Sequence, residues 1–210
     1  MSYFVKECFL TLQGEGNQSG SRAVFLRFAG CNLWSGREKD RATAQCRFCD
    51  TDFVGTDGEG GGKFGSADDL AAHVEALWGE PPANRLVVLT GGEPMLQIDA
   101  PLLTALHSRE FRIAAESNGT IAALPGVDWL CISPKAGTKV VQRHGNELKL
   151  VWPQAGLDPA ELEHWDFEHF LVQPMDCPER ETALAAAINL VMERPKWRLS
   201  LQAHKVVGLP

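Results

Sequence analysis

The chain has 210 residues, of which 44% are hydrophobic and 22% charged, with a formal net charge of −7 at pH 7. That length suffices for one domain, 1–210, with a sizeable buried core, and the acidic balance argues against nonspecific binding to nucleic acid or to acidic membranes. No apolar run approaches the roughly 20 residues that span a bilayer, and the start, MSYFVKECFLTLQGEG, shows no basic segment leading into a long apolar one. The expected location is therefore cytoplasmic, where structural disulfides are uncommon.

Taken in chain order, the first expected element is an N-terminal hairpin through Phe4–Leu12. Ala23–Ala29 (AVFLRFA) then reads as a strand, followed by Leu86–Thr90, Phe111–Glu116, Trp129–Ser133, Glu147–Val151, Phe170–Gln173 and Arg198–Gln202. Several of these runs are almost continuously apolar, as suits parallel strands covered on both faces. The glycine-rich tract Gly55–Gly65 is expected to be a mobile surface loop. Its formal G-x-G-x-x-G match at Gly60, Gly62 and Gly65 follows no convincing strand, and Phe64 follows Lys63 where a phosphate loop needs Ser or Thr. Helices are expected from the capping-box pattern at Ser66–Asp69, with Leu70, Val74, Leu77 and Trp78 on one face, and at Asp99–His107, Asp158–Trp165 and Arg180–Met192. The alternation predicts an α/β fold. There are too few strand–helix units for a full barrel, which takes about 250 residues, so the expectation is an incomplete, modified (β/α) barrel with an added N-terminal hairpin.

The chemistry concentrates in three of the six cysteines, Cys31, Cys46 and Cys49, spaced Cys-x14-Cys-x2-Cys just beyond the first apolar strand. Cys8, Cys131 and Cys177 sit in or beside apolar stretches and read as small buried hydrophobes. On residue types alone, three readings of the trio remain open. A zinc site would require a fourth ligand, such as Asp50 or a distant histidine. A redox pair at Cys46 and Cys49 would leave Cys31 without a role. Three thiolates on a [4Fe–4S] cluster would leave one iron open to a further ligand. The polar insert at about 32–45 can loop out while its ends stay close, since each doubling of loop length costs only about 0.6 kcal/mol. Downstream, Leu86–Thr90 ends in Gly91-Gly92-Glu93-Pro94, where two glycines allow a ligand close to free backbone groups. Arg27 lies inside an apolar strand, where an unpaired charge is costly. It predicts either a core salt bridge or a guanidinium forked onto a substrate carboxylate.

A cysteine trio after the first strand and GGEP after the next resemble the radical S-adenosylmethionine (SAM) superfamily, although the usual first gap there is three residues rather than fourteen. Joined by LQGEG (12–16), CDT (49–51), ESNGT (116–120), SPK (133–135), QPMD (173–176) and LQAHK (201–205), the pattern is similar to the 7-carboxy-7-deazaguanine synthase family. The resemblance implies a lyase that converts 6-carboxy-5,6,7,8-tetrahydropterin to 7-carboxy-7-deazaguanine with loss of ammonia, in queuosine and 7-deazapurine biosynthesis. It implies a barrel of the radical SAM type, a [4Fe–4S] cluster on Cys31, Cys46 and Cys49, SAM, and Mg²⁺ at Thr51, for which a helix-cap role is the structural alternative.

For SAM the resemblance implies Phe48, Asp50, Gly92, Glu116, Ser117, Ser133, Lys135, Gln173, Pro174, Met175 and Asp176. For the pterin it implies Leu12, Gln13, Gly14, Glu15, Arg27, Thr90, His204 and the terminal carboxylate of Pro210, with Glu15 and His204 as catalytic candidates. A one-electron donor such as a flavodoxin and a homodimer are the implied partners, with no nucleic acid and no membrane. The competing functions are a glycyl-radical-enzyme activating enzyme and a noncatalytic zinc-binding module.

Overall fold

The computed structural model describes residues 2–209. Its strands form one nine-stranded sheet in the order β3-β1-β2-β4-β5-β6-β7-β8-β9. β1 (Tyr3–Leu12) runs antiparallel to β2 (Arg22–Phe28), and β3 (Gly62–Phe64) adds antiparallel to the outer edge of β1. From β2 onward every pairing is parallel: β4 (Leu86–Gly91), β5 (Arg112–Ser117), β6 (Trp129–Ile132), β7 (His144–Trp152), β8 (Asp166–Pro174) and β9 (Trp197–Leu199). The edges β3 and β9 do not pair with each other, so the barrel is open.

The helices are α1 (Ala67–Trp78), α2 (Ala100–His107), α3 (Pro159–Leu162), α4 (Arg180–Glu193) and α5 (Ala203–Val207). Ser66 caps α1 as its pattern predicts, with Oγ accepting from the Asp69 amide at 3.1 Å. Strand alternation divides the interior in two. Leu26, Leu89, Ile113, Leu148 and Val172 meet Leu70, Val74, Leu102 and Leu190 of the helices in the main core. Ala23, Val88 and Ala114, with Phe25 and Trp129 against them, occupy the opposite face. No helix links β5 to β6 or β6 to β7, and Pro125 and Gly126 in the first of these links oppose helix formation.

Several expectations need correction. Phe4–Leu12 is not a hairpin in itself but most of one long strand, and the hairpin partner is β2. Gly55–Gly65 is not a mobile loop, because it is strapped along β1: Gly58 N–H donates to Lys6 O at 2.9 Å and Cys8 N–H to Glu59 O at 2.7 Å. A Cβ on Gly60 would stand 2.1 Å from Cys8 O, so the glycines are what allow two backbones this close. Lys6 adds ion pairs of 2.9 and 2.8 Å to Asp52 and Asp57.

Asp158–Trp165 forms only the single turn α3, with Asp158 as its cap, and Arg198–Gln202 contributes only the short edge strand β9. Cys8 and Cys131 are buried as expected, but Cys177 is only half-buried. The insert at 32–45 holds a 3₁₀ turn, Glu38–Thr43. Its ends are drawn together by Arg41, which donates to Arg47 O at 2.9 Å and Cys49 O at 3.1 Å while its guanidinium covers the Trp34 ring at 4.1 Å.

Candidate active site

The carboxyl ends of the parallel strands surround a cavity of about 380 Å³ lined by Arg27 of β2, Thr90 of β4, Glu116 and Ser117 of β5, Lys149 of β7 and Gln173 of β8. This is the rim on which barrels assemble their chemistry, because each strand delivers a side chain to a common opening. Cys31, Cys46 and Cys49 line the same cavity. Among the described residues no three His, Cys, Asp or Glu side chains converge on one ion-sized point. Cys49 is the thiol held below its ordinary pKa, chiefly by its hydrogen bond with Cys46.

The GGEP turn is built against the approach to Cys31. A Cβ on Gly91, whose φ is +136°, would lie 2.3 Å from Phe28 O, and one on Gly92 would lie 2.2 Å from Gly30 O. The glycines are thus required by backbone packing as well as being open to a ligand. Glu93 is fully buried, with its carboxylate accepting from the amides of Met95 (3.0 Å) and Asn118 (2.8 Å) and from Ser117 Oγ (2.8 Å). Burial raises its pKa, and these bonds oppose the rise.

The LQGEG turn and the C-terminal LQAHK segment, far apart in sequence, meet at the rim. Ala203 N–H donates to Gly14 O at 2.8 Å, Gln202 donates to Glu15 at 2.8 Å, and Gly16 N–H donates to Ser200 Oγ at 2.9 Å. Lys205 then bridges Asp50 at 2.8 Å and Asp176 at 2.5 Å, tying the cysteine loop to the end of β8. Glu15 forms a 2.5 Å ion pair with Lys149. Burial alone would raise the Glu15 pKa, but the Lys149 charge and the hydrogen bonds reverse it, leaving a value of about 2. Lys135 donates to Ser133 O and Oγ, both at 2.7 Å, and burial lowers its pKa. Arg27 satisfies part of each reading, since Nε pairs with Glu7 at 2.6 Å while the residue lines the cavity. Thr51 also lines the cavity and caps no helix.

Every other predicted site residue lines this cavity except two. Met175 does not, and its amide is spent on Trp152 O at 2.8 Å; Pro210 lies outside the described residues. Lys149, Gln202, Lys205, Asn118 and Glu7 line it without having been anticipated. Lys149 carried the same cue as Arg27, a charge inside an apolar strand.

No protein-family model matches the chain. It is 61% identical over 210 residues to the 7-carboxy-7-deazaguanine synthase of Caulobacter vibrioides and 58% identical to that of Bordetella pertussis, with the full length of each chain covered in both cases. The chain belongs to the 7-carboxy-7-deazaguanine synthase family. The Bacteroides thetaiotaomicron member is 38% identical over 98% of this chain and 97% of its own. The crystal structure of QueE from Escherichia coli superposes with a TM-score of 0.69 at 26% identity, covering 97% of this chain and 95% of that one. A 7-carboxy-7-deazaguanine synthase is a carbon–nitrogen lyase of the radical SAM type in the queuosine route, and this chain is such an enzyme.

Proposed function

We propose that this chain converts 6-carboxy-5,6,7,8-tetrahydropterin to 7-carboxy-7-deazaguanine with loss of ammonia, using a [4Fe–4S] cluster, SAM and Mg²⁺ in the cavity described above. The observation that carries this reading is the gathering of the three cysteines, the GGEP turn and the LQGEG–LQAHK contact around one opening. Cys31, Cys46 and Cys49 would hold the cluster, and Gly92 would offer its backbone to the SAM amino group. When bound, the cluster and SAM together supply the radical that removes hydrogen from the pterin.

The remaining roles fall to the chain's own side chains. Glu116, Ser117, Ser133, Lys135 and Gln173 through Asp176 form the SAM side, with Phe48 and Asp50 beside the cysteines; Met175 can serve there only through a shift from its present place. Arg27, its Nε fixed by Glu7, would fork its terminal nitrogens onto the pterin carboxylate. Glu15, kept ionised by Lys149, accepts hydrogen bonds from the N–H edge of the heterocycle, beside Leu12, Gln13, Gly14 and Thr90. His204, packed against Gly14, would face the pterin as the second catalytic candidate beside Glu15. Thr51 would give Mg²⁺ a neutral oxygen, with substrate oxygens and waters completing the hard octahedral shell it prefers.

We take the chain as one domain with the 32–45 segment as its cluster-loop insertion, working as a cytoplasmic homodimer that receives electrons from a flavodoxin-like donor. Among the described residues no helix is long and apolar enough to cross a membrane. Incubation of the reconstituted protein with the carboxytetrahydropterin, SAM, Mg²⁺ and a reductant should yield the deazaguanine. No product from protein with an intact cluster overturns this reading, and a colourless protein holding one zinc overturns the cluster assignment.

A further inference from the structure

Lys149 is a buried cation at the centre of the rim, 4% exposed on the middle of β7. A lysine so placed must meet its charge partners inside the protein. It meets two carboxylates from distant parts of the chain: Glu15 Oε2 at 2.5 Å and Glu116 Oε1 at 3.5 Å. The contacts continue beyond these pairs. Glu116 Oε1 also accepts from Gln13 Nε2 at 3.0 Å, and Gln13 Oε1 accepts from the Glu15 amide at 3.0 Å. Glu15, Lys149, Glu116 and Gln13 therefore close a ring. Gln13 and Glu15 belong to the turn assigned to the pterin, Glu116 to the end of β5, assigned to SAM, and Lys149 of β7 joins the two.

We propose that Lys149 is a positioning residue whose ammonium, shared by Glu15 and Glu116, holds the pterin half-site at a fixed separation from the SAM half-site. This rests on the functional reading above. Hydrogen transfer between two bound molecules depends on the gap between the reacting carbons, and small displacements of a reacting geometry are costly in rate. Without the cation, Glu15 and Glu116 are like charges facing one space. The Glu15 side chain, carried on a turn outside the strands, is then the part that shifts, because Glu116 is anchored within β5. Pterin would sit more loosely while SAM stays in place, and the deoxyadenosyl radical would be quenched to 5′-deoxyadenosine by a further electron from the added reductant and a proton from solvent instead of by hydrogen from the pterin.

The test compares wild type with Lys149→Met and Lys149→Arg as cluster-loaded protein. Two quantities are read: the pterin dissociation constant before reductant is added, by equilibrium dialysis in the presence of SAM, and the 5′-deoxyadenosine released per deazaguanine formed. Lys149→Met is expected to weaken pterin binding by about tenfold or more, as for a lost charge-assisted contact, and to raise the deoxyadenosine-to-product ratio by a similar factor. Lys149→Arg, which keeps the cation, is expected to recover most of that ratio. Unchanged pterin affinity with both products falling in proportion overturns the proposal, as does an arginine variant no better than methionine. If Lys149→Met does not fold, the charge-balanced Lys149→Met/Glu116→Gln protein is compared with Glu116→Gln alone and read in the same way. Wild-type protein that forms no deazaguanine removes the functional reading, and this proposal with it; an active wild type isolates the role of Lys149.

Discussion

His204 fills the space that a side chain on Gly14 would need, since a Cβ there would stand 2.1 Å from His204 Nδ1. The glycine of LQGEG and the histidine of LQAHK are therefore one steric unit. Gly14→Ala should push His204 and α5 off the rim while leaving the cysteine loop in place. Its expected effect is a fall of about tenfold or more in kcat/KM for the pterin, as for other small misplacements of catalytic groups, with iron content unchanged. Wild-type kcat/KM in Gly14→Ala would remove the link between these two motifs.

The cysteines divide by position. Cys31, Cys46 and Cys49 share the cavity, whereas Cys8 and Cys131 are buried in the sheet and Cys177 follows β8. Alanine at any of the first three should cost most of the iron and sulfide bound per chain after anaerobic reconstitution. Alanine at any of the other three should leave that content within error. Iron retained by Cys31→Ala would show that the trio is not the ligand set.

Glu93 joins the ends of two adjacent strands. Its buried carboxylate serves two backbone amides and the Ser117 hydroxyl, and Glu93→Ala leaves those donors without a partner. The expected loss of stability is about 2–4 kcal/mol, more than for Glu93→Gln, which keeps one acceptor oxygen. Urea midpoints of the two variants check this, and equal midpoints would contradict it.

The Glu15 carboxyl titrates at about 2 in the fold against an ordinary 4.5. A group whose pKa is depressed by folding contributes stability that is complete above its unfolded value and lost as pH falls toward the folded one. The stability gap between wild type and Glu15→Gln should therefore be largest above pH 4.5 and shrink as pH falls toward 2. Urea unfolding of cluster-free protein across that range checks the direction, and a gap that widens in acid would reverse the assignment.

Local patterns exposed much of this architecture. Near-continuous apolar runs marked several of the parallel strands, as at β4, where Leu86–Thr90 is buried throughout, and the Ser66 cap was written in four residues. Gly55–Gly65 misled because glycine permits both looseness and close packing, and only the Lys6–Cys8 backbone beside it decides which. The site was legible wherever a motif carried its own geometry, as at Cys46–Cys49 and GGEP. Lys149, Gln202 and Lys205 escaped because their meaning lies in partners more than 25 residues away: Glu15, Asp50 and Asp176.

The open barrel also sets a timetable. Its two edges never pair as strands; the rim is bridged instead by contacts such as Gly16 to Ser200 and Gly14 to Ala203, some 184 residues or more apart in sequence. Contacts of such separation form late. On the ribosome, the loop of the three cysteines and the GGEP turn against it emerge long before residue 200. The cysteine loop and its GGEP turn can thus take shape on a nascent chain, while the contact of LQGEG with LQAHK that completes the rim must wait until residues 200–205 have been made.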